Sequence, residues 1–107
     1  MAPRWSLKLV KKLAAEGKLK LSQSKAVAYF NSESEAIATA KDVIAKLSAL
    51  NYSCTLQQID ECDEYGVMIG TAGYHLKLTI FKEPQLMIVS LHPLLKPIKT
   101  KKGTVNP

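Results

Sequence analysis

Tyr74–Pro93 (YHLKLTIFKEPQLMIVSLHP) constrains the fold more than any other stretch of the chain. Two apolar-rich runs flank Lys82-Glu83-Pro84-Gln85, the pattern of half-buried strands joined by a tight turn. A hairpin of this kind must have one face covered, so the rest of the chain has to supply the cover. Closing the hairpin through those four residues sets Phe81 opposite Leu86, Leu78 opposite Val89 and Lys77 opposite Ser90. It also sets the two histidines of the chain, His75 and His92, opposite each other. A two-residue Glu83-Pro84 loop gives the same register, and a bulge would destroy it.

Strand alternation then sorts the faces. Leu76, Leu78, Ile80, Met87, Val89 and Leu91 share one face, expected to be the core, with Tyr74 at its edge. The other face carries His75, Lys77, Thr79, Ser90 and His92, with Phe81, Leu86 and Ile88 nearer the loop. Opposed Cβ atoms lie ~4.5–5.5 Å apart, so two imidazoles and a lysine share a patch away from the core. Histidine titrates near neutrality, with an unperturbed pKa of ~6.5, so such a pair can hold one neutral base and one charged acid. Metal-free RNA cleavage needs these two groups: a base for the 2′-OH proton and an acid for the leaving 5′-oxygen. Lys77 is placed to stabilise the charge that builds on phosphorus, and adjacent cations push one histidine towards its neutral form. The bland alternative is two exposed histidines that share a face by coincidence. A histidine pair holding a metal would need further ligands, and the sequence offers none at metal spacing.

The cover comes from the N-terminal half. In SLKLVKKLAAEGKL the apolar residues fall on one side at helical spacing, with Ser6 as N-cap and Gly17 as stop. This predicts a helix over about residues 4–16 with Lys8, Lys11 and Lys12 outward. SKAVAYF predicts a second helical segment at about 23–30. SESEAIATAKDVIAKLSAL predicts the longest helix, with a capping box from Ser32 to Glu35 and an end at Asn51. Its stripe is Ile37, Ala40, Val43, Ile44 and Leu47. YSCTLQQI alternates like a strand, DECDEYG reads as an acidic break, and VMIGTAG as a short strand or a glycine-rich loop. Helices first and sheet second is an α+β plan, with N-terminal helices packed on one face of an antiparallel sheet. Residues 1–95 make one domain, and 96–107 read as a mobile basic tail.

Charge bears on the partners. The chain of 107 residues carries a net +6, and fourteen of its fifteen cations are lysine. Residues 1–30 and 96–107 are basic, at +6 and +4, whereas 31–95 stand at −4. Basic ends suit a polyanion such as RNA, although a lysine-rich solvated helix and tail give the same numbers. Lysine favours attraction to backbone phosphate over base-specific readout of a duplex. Lys8, Lys11, Lys12, Lys96 and Lys99 are the candidate phosphate contacts, and Tyr65 and Tyr74 the candidates for stacking bases. Cys54 and Cys62 read as reduced structural thiols, which together with the missing ligand spacing implies no metal and no cofactor. No run reaches the ~20 apolar residues of a membrane span, and the first seventeen residues lack a secretory signal's apolar stretch. A cytoplasmic location is the default expectation.

Three segments in order, WSLKLVKKLAAEGKLKLSQS, SEAIATAKDVIAKLSALNY and YHLKLTIFKEPQLMIVSLHP, resemble the MqsR family of toxins from type II toxin–antitoxin systems. The resemblance runs from about Trp5 to Leu94. It implies a RelE-like fold, an endoribonuclease (mRNA interferase) acting on mRNA, growth arrest, and a cognate antitoxin that neutralises it, with the ribosome as a further candidate partner. The family's active positions on the paired strands, a tyrosine and a lysine, fall on His75 and His92. A family lysine aligns near Cys54 and a glutamine near Cys62, so this chain departs from the family at all four. The rival readings are a non-catalytic RNA- or ribosome-binding module and a protein-interaction domain docking through its basic helix.

Overall fold

The computed structural model of the chain describes residues 2–57 and 60–107. Its elements run α1 (Leu7–Ala15), β1 (Leu19–Leu21), α2 (Glu33–Lys46), β2 (Tyr52–Gln57), β3 (Glu61–Ile69), β4 (Ala72–Phe81), β5 (Gln85–Pro93), β6 (Ile98–Thr100) and β7 (Gly103–Val105). Short 3₁₀ turns at Val27–Tyr29 and Ala49–Asn51 flank α2. The expected strand over 52–59 is present to Gln57, and Gln58 and Ile59 lie outside the described residues.

Both helices start where their caps predict. The Ser6 hydroxyl accepts from Leu9 N–H, the Ser32 hydroxyl accepts from Glu35 N–H, and Gly17 ends α1 with a φ of 74°. The Glu35 carboxylate reaches back to Asn31 N–H, one residue before the position a capping box would use. α2 stops at Lys46 rather than Asn51, because Ser48 and Asn51 cap a separate 3₁₀ turn. The expected second helix shrinks to the single turn Val27–Tyr29.

Five strands form a sheet in the order β1-β5-β4-β3-β2. Its pairings are antiparallel except that β1 runs parallel to β5, so the sheet is mixed rather than wholly antiparallel. Val10, Leu13 and Ala14 of α1 and Ala36, Ala40, Val43 and Ile44 of α2 are buried in one core with Leu76, Leu78, Leu86, Ile88 and Leu91. Burying each of the valine, leucine and isoleucine side chains is worth about 1.5–3 kcal/mol, which is what holds the helices on that face.

The β4–β5 register is the expected one at the open end and differs at the loop. His75 pairs with His92, Leu76 with Leu91 and Lys77 with Ser90, but Leu78 pairs with Ile88 and Phe81 with Gln85. The loop is one residue shorter than the expected four, and a bulge at Val89 takes up the extra residue in β5. Leu86 and Ile88 therefore belong to the core face and are fully buried, whereas Met87 and Val89 are only partly so.

Two further expectations give way. The acidic segment is no break: Asp60 precedes β3, which carries Glu61, Asp63 and Glu64 into the sheet. Asp63 is fully buried and accepts from the backbone N–H groups of Arg4 and Trp5 and from the Thr55 hydroxyl. Nor is 98–105 a mobile tail: β6 and β7 form a hairpin, and Lys101 N–H and Lys102 N–H donate to the carbonyls of Tyr52 and Leu50. The hairpin rests on the sheet at two glycines. A Cβ on Gly66 would lie 2.7 Å from Ile98 Cγ2, and one on Gly73 2.0 Å from the Asn106 carbonyl oxygen.

Candidate functional site

The face of the sheet opposite the helices collects chemistry from four strands. Cross-strand partners share a face. The pairings Cys54–Glu64, Glu64–Lys77, Gly66–His75, His75–His92 and Lys77–Ser90 therefore put all these side-chain positions on one side. The C-terminal hairpin sits over Gly66, the direct neighbour of His75, and walls the patch on that flank.

The imidazole rings of His75 and His92 lie with centroids 5.2 Å apart and are tilted by 46°. Glu64 is hydrogen-bonded through Oε1 to His75 Nε2, and its Oε2 accepts from the Cys54 thiol at 3.0 Å. The hydrogen bond from His75, helped by that from Cys54, holds the Glu64 carboxyl below its ordinary range against the opposing effect of burial. An ionised carboxylate only accepts, so His75 carries its proton on Nε2 towards Glu64. His92 Nδ1 lies 3.0 Å from the Pro93 carbonyl oxygen, which also only accepts, so His92 donates from Nδ1. Each ring thus has one nitrogen committed to a fixed acceptor, leaving His75 Nδ1 and His92 Nε2 for exchange with a substrate.

These groups border a cleft of about 470 Å³ lined by Lys25, Tyr29, His75, Lys77, Ser90, His92, Pro93 and Leu95. Lys77 and Ser90 form its buried floor, and the Tyr29 ring, half exposed, stands 5.2 Å from that of His92. A second cleft of about 400 Å³ lies between the end of α2 and the β3–β4 turn, with Asp42, Lys46 and Lys102 as its charged lining and no imidazole or thiol. The histidine cleft is therefore the candidate for chemistry. Among the described residues no group of three or more His, Cys, Asp or Glu side chains converges as a metal site.

Of the residues expected from sequence, His75, His92 and Lys77 come together. The others scatter. Lys8 and Lys12 are exposed on α1, in the layer across the sheet, and Lys11 Nζ donates to the Ala45 carbonyl at the end of α2. Lys96 and Lys99 are exposed beside and on the C-terminal hairpin. Tyr65 is fully buried edge-on to Tyr52, with centroids 5.7 Å apart, and burial drives its hydroxyl pKa up. It cannot stack a base without opening the core. Tyr74 alternates onto the helix side and packs against the core. Burial, first of all, raises the pKa of both thiols, which therefore stay protonated at neutral pH.

Sequence reasoning missed Glu64, Cys54 as its partner, and the rim residues Lys25, Tyr29 and Leu95. The signal for Glu64 was the spacing of Cys62, Glu64 and Gly66, which fall on one face once β3 is read as a strand. Nothing local marks Tyr29, which reaches the site from a 3₁₀ turn. No family model matches the chain, and no curated protein matches it. No helix among the described residues is long and apolar enough to cross a membrane.

Proposed function

We propose that this chain is an endoribonuclease that cleaves RNA through His75 and His92, and that it serves as the toxin of a type II toxin–antitoxin system. The observation that carries the reading is the pair itself: two imidazoles with centroids 5.2 Å apart at a cleft floored by Lys77. One imidazole removes the 2′-OH proton, the 2′-oxygen attacks phosphorus, and the other protonates the departing 5′-oxygen. The products are a 2′,3′-cyclic phosphate and a 5′-OH. Lys77 supplies positive charge beside the phosphoryl oxygens, where a preorganised cation favours the crowded transition state. Because two imidazoles supply both proton transfers, the reaction needs no metal in this scheme.

The assignment as a toxin rests on the resemblance to the MqsR family and on an α+β arrangement that suits a RelE-like fold, with helices on one sheet face and the histidines on the other. In that setting the substrate is mRNA in the cytoplasm, and a cognate antitoxin neutralises the free protein.

The test is incubation of the purified protein with a long mRNA, with and without EDTA, alongside the double variant His75→Ala/His92→Ala. The expected result is EDTA-insensitive cleavage giving cyclic-phosphate ends, lost by at least ~10²-fold in the double variant. Cleavage by the double variant at the wild-type rate would refute the catalytic pair. Salt-sensitive binding with no cleavage by the wild type would make the protein an RNA-binding module instead.

A further inference from the structure

The two histidines are not equivalent, and their partners say which does what. His75 is bonded to an ionised carboxylate, whereas His92 is bonded to a neutral backbone carbonyl. On the reading of the site as a ribonuclease, we propose that Glu64 is a positioning residue that makes His75 the general acid, which leaves His92 as the general base. The argument is one of charge placement. With the rings 5.2 Å apart on one face, a turnover that needs one base and one acid requires a single exchangeable proton on the pair. That proton has two possible homes. On His75 the positive charge is compensated by Glu64 in a direct hydrogen bond. On His92 it faces a carbonyl dipole, the half-exposed Tyr29 ring and the cationic cleft lining of Lys25 and Lys77. The first state is favoured.

The shielding of the pair works in the same direction. The side chains of His75 and Glu64 are 14% and 16% exposed, so water screens their attraction little. The second oxygen of Glu64 is held by the Cys54 thiol, which stays protonated and adds no charge of its own. Glu64 is thus fixed from both sides, and so is the imidazole it holds. His75 then presents the Nδ1 proton to the leaving 5′-oxygen while His92 Nε2 takes the 2′-OH proton. One P–O bond forms, one breaks, and one proton enters the pair as another leaves.

Leaving-group chemistry separates the two roles. A cut site is mapped with the wild-type protein, and two RNA oligonucleotides spanning it are made. One has the natural 5′-oxygen bridge, and the other carries sulfur at that bridge, a leaving group that departs as thiolate without a proton. His75→Ala is expected to slow the oxygen substrate by about 10²-fold or more and the sulfur substrate by less than about 10-fold. Glu64→Gln, which keeps the side chain's shape, follows the same pattern with a loss of about 10-fold on oxygen that sulfur recovers. His92→Ala slows both substrates alike. Because each variant is its own control on two substrates, partial misfolding lowers both rates equally and cannot imitate rescue. Rescue of His92→Ala but not of His75→Ala would reverse the assignment, and no oxygen–sulfur difference for Glu64→Gln would remove Glu64 from the chemistry. A double variant cleaving both oligonucleotides at the wild-type rate would instead refute the ribonuclease reading beneath the assignment.

Discussion

Glu64 is a shielded carboxylate whose two oxygens are taken up by an imidazole and a thiol. Its pKa lies below the ordinary value of 4.5, chiefly through the hydrogen bond with His75. A depressed carboxyl pKa means that the folded state gains from ionisation. The gain is present above the unfolded pKa and disappears as pH falls through the lower folded value. Glu64→Gln should therefore cost about 1.5–3 kcal/mol near pH 7, the range for a hydrogen bond to a charged group. The cost should shrink as pH drops below about 4.5 and become small once wild-type Glu64 is itself protonated. Urea denaturation of both proteins at pH 7 and at pH 3 checks this. A gap of the same size at both values would mean that Glu64 acts through packing rather than charge.

At the scale of elements, β4 was legible and β5 only half so. In β4 the polar residues His75, Lys77 and Thr79 alternate with Leu76, Leu78 and Ile80, so its faces can be assigned without a structure. In β5 the run Leu86–Val89 is apolar throughout, and nothing in it marks which residue is the extra one. The bulge at Val89 is hidden there, and the histidine pairing survives because a loop one residue shorter than expected compensates for it. β3 was misread for the reason that hid Glu64. A strand carrying Asp63 into the core looks implausible until Arg4 and Trp5 are seen to donate to it from 59 and 58 residues away. The C-terminal hairpin was missed because its sheet contacts rest on glycines, whose role is to leave room. Gly73→Ala tests that role: its Cβ would fall 2.0 Å from the Asn106 carbonyl oxygen, so the chain end must shift. The amides of Lys101 and Lys102, which donate to Tyr52 and Leu50, should then exchange about 10-fold faster, while the Leu86 amide, bonded to Lys18, stays unchanged. Unaltered exchange at Lys101 and Lys102 would show that the hairpin is held independently of this contact.

The whole molecule is polarised by its sheet. One layer carries α1 with exposed Lys8 and Lys12, and the opposite face carries the histidine cleft with Lys25 at its rim. Net charge alone suggested that the helix would steer RNA, but steering into a cleft depends on charges close to its mouth, because free ions screen the field over about 10 Å. Lys11 is engaged with the Ala45 carbonyl, where its cation also complements the negative end of the α2 dipole. RNA cleavage should therefore respond to the two sets of lysines in different ways. Replacing Lys8 and Lys12 together by Gln should leave the rate at subsaturating RNA within about twofold of wild type. Lys25→Gln keeps the backbone carbonyl that accepts from Leu91 N–H, so the local fold is spared. It should weaken RNA binding and flatten the dependence of log K on log salt by about 0.7, the loss of one single-strand phosphate contact. Filter binding of the catalytically dead double variant across a salt series measures this without cleavage. If Lys8 and Lys12 carry the slope and Lys25 does not, RNA approaches over the helical layer, and the cleft is not where its backbone is held.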